Sequence, residues 1–249
     1  MIRLLTRWDE ALDRLCEQSL FGTRIAGHVR AYGLNRAFFQ VWQAGEACLL
    51  SRLDGELTLL GTPQDPNELL LFLSYIEGQT LLCGEGLALP MAEEGTVLSL
   101  ETAPKIHSLD APALPCGARE AYEVLVQCGG VVLPPDWESF YLDTSHRLRH
   151  GCGRIRGVQA GGRWAAVALT GAEIPGAAVV SGVAVLPGYR GKGLGQALVS
   201  HLVRELAVEG KRVYLLCSDR LAVFYRRIGF QDAGRFYRLA MKRAQNDFD

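Results

Sequence analysis

After Val185 the chain reads Leu186-Pro187-Gly188-Tyr189-Arg190-Gly191-Lys192-Gly193-Leu194-Gly195-Gln196, with Gly191, Gly193 and Gly195 at alternate positions just before a helical repeat. Glycines so spaced let a backbone approach a ligand closely, and a helix start offers unpaired N–H groups and the positive end of a dipole. The chemistry that fits is the cradling of a diphosphate. No Gly-x-x-x-x-Gly-Lys-Ser/Thr is present, so this is not a Walker loop, and the Gly-x-Gly-x-Gly spacing is not the dinucleotide fingerprint. His146 and His150 stand four apart on an expected helix, but no HExxH or Cys/His cluster completes a ligand set, and no metal is expected. The seven cysteines show neither paired CxxC spacing nor a disulfide framework and read as reduced, mostly buried thiols. Cys217 falls on an expected strand; a nucleophilic thiol there competes with the more ordinary role of a small buried residue.

The elements that must hold this turn are legible around it. Arg154 to Ala160, Arg163 to Thr170 and Ala177 to Val185 are rich in Val, Ala and Ile and are separated by Gly-containing turns, which predicts three strands of an antiparallel meander. Leu194, Leu198, Leu202 and Leu206 repeat at helical spacing toward Gly210, a C-terminal cap. Arg212 to Cys217 reads as a strand, Ser218-Asp219 as the N-cap of a helix ending at Gly229, and Phe230 and Phe236 to Met241 as closing strands. The first half shows the same order more faintly. Helical periodicity runs through 7–32, strands are expected at Ala37 to Ala44, Ala47 to Leu53 and Glu56 to Leu60, a helix at Asn67 to Ile76 and a strand at Thr80 to Cys83. A degenerate structural repeat accounts for that order. The stretch Ala103 to Gly117, with Pro104, Pro112 and Pro115, reads as a linker, giving an N-terminal domain over 1–110 and a C-terminal domain over 111–249.

Arg190-x-x-Gly193-x-Gly195 after a strand and a Pro187-containing turn, then a helix, a strand and Phe224-Tyr225-Arg226-Arg227-Ile228-Gly229-Phe230, resembles the GNAT superfamily of acyl-CoA-dependent N-acyltransferases. The resemblance covers roughly Ala118 to Lys242, and Phe140 to Arg147 falls where the family's early helices approach the acceptor. It implies an α/β fold, with a mixed central sheet flanked by helices in the C-terminal domain, while the degenerate repeat is what gives the N-terminal α/β domain a similar topology. It implies acetyl-CoA, or another acyl-CoA, as cosubstrate. The N–H groups of Gly191, Lys192, Gly193, Leu194, Gly195 and Gln196 would hold the pyrophosphate, with Arg190 at the first motif position. Val183, Ala184 and Val185 would pair through their main chain with the pantetheine arm, where that strand splays from Val213 to Cys217. Tyr225 matches the family's general acid for the departing thiolate, while Ser218 stands where many members place an asparagine that contacts pantetheine. Arg226 and Arg227 stand as candidates for the 3′-phosphate against the plainer reading of a solvated helix face.

The base departs from the family pattern. Val179 occupies the position where many members carry a glutamate, and no carboxylate occurs from Ala177 to Val185. Asp143, His146 and Glu173 are the remaining candidates, beside deprotonation through ordered water; each has a plain structural reading as a helix cap, a solvated helical residue and a loop residue respectively.

Composition bounds the rest. With 49% hydrophobic and 21% charged residues the 249-residue chain has a globular profile, and no apolar run reaches the roughly 18 residues of a membrane span. Charge arrives early at the N-terminus, unlike a secretory signal, so a cytoplasmic protein without a membrane partner is expected. Residues 186–249 carry 12 Lys/Arg against 6 Asp/Glu, the remainder 14 against 21, which suits an anionic ligand at the C-terminal end rather than nucleic acid. The resulting expectation is an N-acyltransferase for a small-molecule or peptide amine, by direct attack in a ternary complex, with homodimer assembly left open. A non-catalytic acyl-CoA-binding regulator or scaffold is the alternative.

Overall fold

The computed structural model describes residues 1–34, 36–85, 87–102, 112–129 and 136–241. Most of the expected linker, 103–111, lies outside them. The chain divides into two compact units, Met1–Val97 with Gly234–Asp249, and Leu98–Ala233.

The first unit contains β1 (Arg3–Leu4), α1 (Glu10–Cys16), α2 (Leu20–Tyr32), β2 (Phe39–Gly45), β3 (Cys48–Leu53), β4 (Glu56–Leu60), α3 (Pro66–Tyr75), β5 (Thr80–Cys83) and most of β6 (Met91–Leu100). The continuous helical period expected over 7–32 is interrupted, because Ser19 caps a second helix by accepting from Gly22 N at 3.0 Å. Gly22 is required there: a Cβ would stand 2.5 Å from the Cys16 carbonyl oxygen. β2, β3 and β4 form an antiparallel meander, and α3 carries the chain over to β5, which pairs with β4 in parallel from Glu56↔Thr80 to Thr58↔Leu82. Trp42, Leu50, Leu57, Leu69 and Leu81 bury one face of this sheet. β6 was not anticipated from the sequence.

The second unit begins with the end of β6 and continues through β7 (Leu114–Pro115), α4 (Ala118–Cys128), α5 (Trp137–Arg149), β8 (Ile155–Ala160), β9 (Arg163–Glu173), β10 (Ala177–Val185), α6 (Leu194–Val208), β11 (Arg212–Cys217) and α7 (Asp219–Ile228). Its strand order is β6-β11-β10-β9-β8-β7. One face is covered by α6, whose Leu198, Leu202 and Leu206 pack with Leu98, Leu100, Ala178, Val180, Val213 and Leu215. The other is covered by α4, whose Ala121 and Val124 pack with Ile155, Val167, Leu169 and Ala184. Each such aliphatic side chain taken from water contributes about 1.5–3 kcal/mol.

Two helices, three antiparallel strands, a helix and a parallel strand thus occur in the same order in both units. The chain closes differently from the expectation. In place of two closing strands there is one, β12 (Gln231–Ala240), and its residues from Gly234 onward belong to the first unit, where Tyr237 pairs with Cys83 and Ala240 with Thr80.

Candidate functional site

The site grows from a defect in the second sheet. β10 and β11 pair in parallel at Ala177↔Arg212, Ala178↔Val213 and Val179↔Tyr214, and there the ladder stops, although β10 continues to Val185 and β11 to Cys217. On its other side β10 stays paired with β9, but with bulges between Val179 and Val180 and between Ser181 and Ala184. A bulge bends its strand and raises the local twist, which turns β10 away from β11. Gly182 takes φ +56° inside the second bulge, and a Cβ there would lie 2.9 Å from Leu169 Cγ, so only glycine fits. The polar backbone edges of Val183 to Val185 are therefore turned toward a slot rather than toward β11.

Past Val185 the backbone makes one 3₁₀ turn at Pro187–Tyr189, and Arg190 folds back so that its Nε donates to Val185 O at 2.9 Å. Gly191 and Gly193 adopt φ +77° and +75°, with open space where a side chain would stand. Gly193 is the left-handed N-cap of α6, and no side chain caps that helix. Gly195 serves packing instead: a Cβ would come within 3.1 Å of Val185 Cγ2 and 3.7 Å of Phe224 Cζ, so its absence lets the start of α6 press on the end of β10 beside α7. The result is a cationic, uncapped helix start with a hollow of bare backbone before it, and Lys192 is exposed and has no partner among the described residues.

The corresponding position in the first unit is filled. At the start of α3, Asp65 Oδ1 accepts from Asn67 N at 2.9 Å and from Glu68 N at 3.1 Å, and Pro66 occupies the first turn. A carboxylate already neutralises that helix start, so the first unit offers no equivalent anion cradle.

After β11, α7 brings Tyr225 against the same core as Val183 and Val185. Its ring is half-buried, edge-on to Phe224 at 4.9 Å and to Phe230 at 5.9 Å, and its hydroxyl has no hydrogen-bond partner among the described residues. Burial, with a smaller contribution from neighbouring Cys217, pushes the phenol's pKa up, so it stays protonated. Cys217 is itself buried, and burial pushes its thiol up to about 11; a neutral thiol is a poor nucleophile. Ser218 stands at the N-cap of α7 but does not cap it; its carbonyl accepts from Leu221 N and Ala222 N, and its exposed hydroxyl is left over. Arg226 is taken by Asp232, Nε to Oδ1 at 2.9 Å and Nη2 to Oδ2 at 3.0 Å, whereas Arg227 is exposed and unpaired among the described residues.

The three base candidates are brought to different places. Glu173 is buried beside the C-terminal end of α6, accepting from Arg154 Nη2 at 2.6 Å, Lys211 Nζ at 2.9 Å and Thr170 Oγ1 at 2.8 Å. Burial works against its charge, but those hydrogen bonds and Arg154's charge outweigh it and hold the carboxyl below its usual range. Since α6 is about 22 Å long, Glu173 is far from the glycine-rich turn at its other end. Asp143 is engaged bidentately by Arg147, Nε to Oδ1 at 3.1 Å and to Oδ2 at 3.0 Å. His146 lies on α5 stacked on His150, ring centroids 4.0 Å apart. Among the described residues no group of three or more His, Cys, Asp or Glu could hold a metal ion. No helix among them is long and apolar enough to cross a membrane. Sequence reasoning passed over Ser181 and Arg147; the only signal was a serine in an otherwise aliphatic strand and an arginine on the buried face of α5.

Residues 148–232 match the family model described as an acetyltransferase (GNAT) domain. No curated protein matches the chain. Among solved structures it resembles a GCN5-related N-acetyltransferase from Kribbella flavida, at 16% identity and TM-score 0.64 over 90% of this chain and 95% of that one. It resembles a GNAT-family acetyltransferase from Colwellia psychrerythraea at 12% identity and TM-score 0.55, over 97% of this chain and 100% of the other. A tandem GNAT protein from the clavulanic acid biosynthesis pathway aligns at 13% identity and TM-score 0.57, over 97% and 98% of the two chains. At these identities the likeness is one of fold. Residues 148–232 thus match a GNAT domain model, in a chain whose fold is like that of a tandem GNAT protein.

Proposed function

We propose that the chain transfers an acetyl or other short acyl group from acyl-CoA to an amine, using one cofactor site in the second unit. The observation that carries this reading is the combination of an uncapped helix start behind Gly191 and Gly193 with a slot bounded by Val183 to Val185 and faced by Tyr225. The diphosphate of CoA sits on the N–H groups from Gly191 to Gln196, near Arg190 and Lys192. The pantetheine amides pair with Val183, Ala184 and Val185 as an added strand, and the Ser218 hydroxyl lies at the other wall. Arg227, unlike Arg226, has no partner among the described residues and is the better placed of the two to meet the 3′-phosphate.

The amine attacks the thioester carbonyl in a ternary complex, the C–N bond forms, and the tetrahedral intermediate expels the CoA sulfur. Tyr225 donates its hydrogen bond, and then its proton, to that sulfur. A phenol whose pKa is raised is a reluctant acid, so hydrogen-bond donation to the developing thiolate is the larger part of its role. Asp143 and Glu173 are committed to ion pairs, so the amine arrives as the free base or loses its proton through water, with His146 the remaining side-chain candidate. The acceptor is a small-molecule or peptide amine.

Isothermal titration with acetyl-CoA tests the root of this reading, with one site per chain expected because Asp65 fills the start of α3. Absence of binding overturns it. Binding without thiol release across a panel of primary amines leaves a non-catalytic acyl-CoA-binding protein instead.

A further inference from the structure

The first of the two irregularities between β9 and β10 is held from α5. Val179 pairs with Ala172 and Val180 with Thr170, which leaves Gly171 as the extra residue of β9 at the level where β10 parts from β11. A bulged residue leaves backbone groups out of the ladder, and buried backbone groups need partners. Arg147 supplies them. Only 7% exposed, it donates from Nη1 to Thr170 O at 3.1 Å and to Gly171 O at 2.9 Å, while Nε and Nη2 grip Asp143. Asp143 and Arg147 lie one turn apart on α5, so together they form a strut from that helix to the bulge.

Ser181 rests on this bulge. A Cβ on Gly171 would lie 3.0 Å from Ser181 Oγ, so the glycine makes room for the serine. Ser181 stands directly across from Leu169, which packs beneath α4, and cross-strand partners project from the same face; its side chain is therefore on the α4 side, opposite to α6. Two residues beyond the last β10–β11 pair, it is half-buried, and its hydroxyl has no partner among the described residues. A second unsatisfied hydroxyl, Thr144 Oγ1, is buried on α5 one position from Asp143.

We propose that the Ser181 hydroxyl is the acceptor contact of this enzyme, receiving a hydrogen bond from the N–H of the attacking amine, and that Asp143 and Arg147 position it through the Gly171 bulge. The inference rests on the amine-transfer reading above. It gives the slot two walls with different tasks, Tyr225 for the leaving sulfur and Ser181 for the incoming nitrogen. Asp143 becomes a positioning residue in place of a base.

The test uses the full chain, acetyl-CoA, and the primary amine that the wild type turns over fastest in a panel. Ser181→Ala is expected to raise the amine KM about ten-fold, the loss of one hydrogen bond, with kcat changed little and the acetyl-CoA Kd within two-fold. Asp143→Asn is expected to raise the same KM about three-fold. The double variant should be no worse than Ser181→Ala alone, because the strut acts through the serine. If circular dichroism shows that Asp143→Asn has lost its fold, Arg147→Lys takes its place in the cycle. An unchanged amine KM in Ser181→Ala, or additive losses in the double variant, overturns the inference while leaving acyl transfer intact. A wild type that binds acetyl-CoA yet acylates no amine overturns both.

Discussion

Replacing Tyr225 with phenylalanine removes one oxygen and nothing else, and the structure fixes what should follow. The ring contacts to Phe224 and Phe230 survive the change. The hydroxyl has no partner among the described residues, so its removal orphans no donor or acceptor there. The thermal midpoint should therefore stay within a degree or two of wild type, or rise. The departing thiolate, by contrast, loses a hydrogen bond to a charged atom, worth about 1.5–3 kcal/mol. At 1.36 kcal/mol per factor of ten, kcat should fall about ten- to 150-fold. The acetyl-CoA Kd should hardly move, because the hydrogen bond matters once the C–S bond breaks. The assay is thiol release from acetyl-CoA followed with a chromogenic disulfide, run beside calorimetric titration and a thermal melt. Because the phenol's pKa is raised, wild-type activity should also show no loss through pH 10 attributable to this group. A Tyr225→Phe variant with undiminished kcat refutes the role. A variant with weakened CoA binding and a lowered melting point would show instead that the residue is part of the core.

Two further outcomes follow from the fold. A fragment beginning at Ala118 lacks Leu98 and Leu100, which are 0% and 4% exposed in the core beneath α6, and so forfeits roughly 3–6 kcal/mol of burial, a large share of a domain's stability. It should be unfolded by circular dichroism, whereas the full chain is folded; a soluble, cooperatively melting fragment would contradict the assignment of β6. Glu56 is held at about 2, chiefly by the charge of Arg24 and then by Arg238 against the opposing effect of burial. Its folded pKa lies below the ordinary 4.5, so the stability it lends is complete above that value and is lost as pH falls toward 2. Acid melts of wild type and Glu56→Gln should therefore converge only as the pH approaches about 2 and diverge above pH 5, and parallel curves throughout would count against the pairing.

The elements of both units were readable where one face of the element is buried, because periodicity records burial. Ala177 to Val185, Arg212 to Cys217 and Glu56 to Leu60 agree with the strands found. β6 escaped notice since its first half, Met91-Ala92-Glu93-Glu94-Gly95, is largely exposed and charged, and only Val97, Leu98 and Leu100 near its end are buried aliphatics. The pairing of β12 with β5 joins Tyr237 to Cys83 across the length of the chain, and nothing local encodes it. The same distinction divides the site. Bare backbone before a helix is a local property, so the turn at Gly191 to Gln196 is visible in sequence. Glu173 reads as a loop carboxylate until Arg154 and Lys211, 19 and 38 residues away, are seen to close on it. Arg147 acquires its task only when Gly171, 24 residues on, leaves the ladder.

The two units differ at the start of the helix that follows the meander. After β4 and after β10 the chain turns into a helix that runs back toward a parallel strand, so both units aim a helix start at a strand end. In the first, the turn has one glycine of positive φ, Gly61, and a Cβ there would collide with the Ala47 carbonyl; this glycine answers to packing within the meander. Asp65 then caps α3. In the second, Gly191 and Gly193 have positive φ and nothing near them, a conformation that costs an L-residue about 1 kcal/mol or more and that packing does not demand. Backbone freedom with no packing cause, beside a helix start with no side-chain cap, is what an anionic ligand would use. In the first unit the Asp65 carboxylate occupies that position and stabilises its own helix by about 1 kcal/mol. A side-chain cap and a bound anion would use the same N–H groups, so the Asp65 cap and the uncapped start of α6 are the two ends of one trade-off.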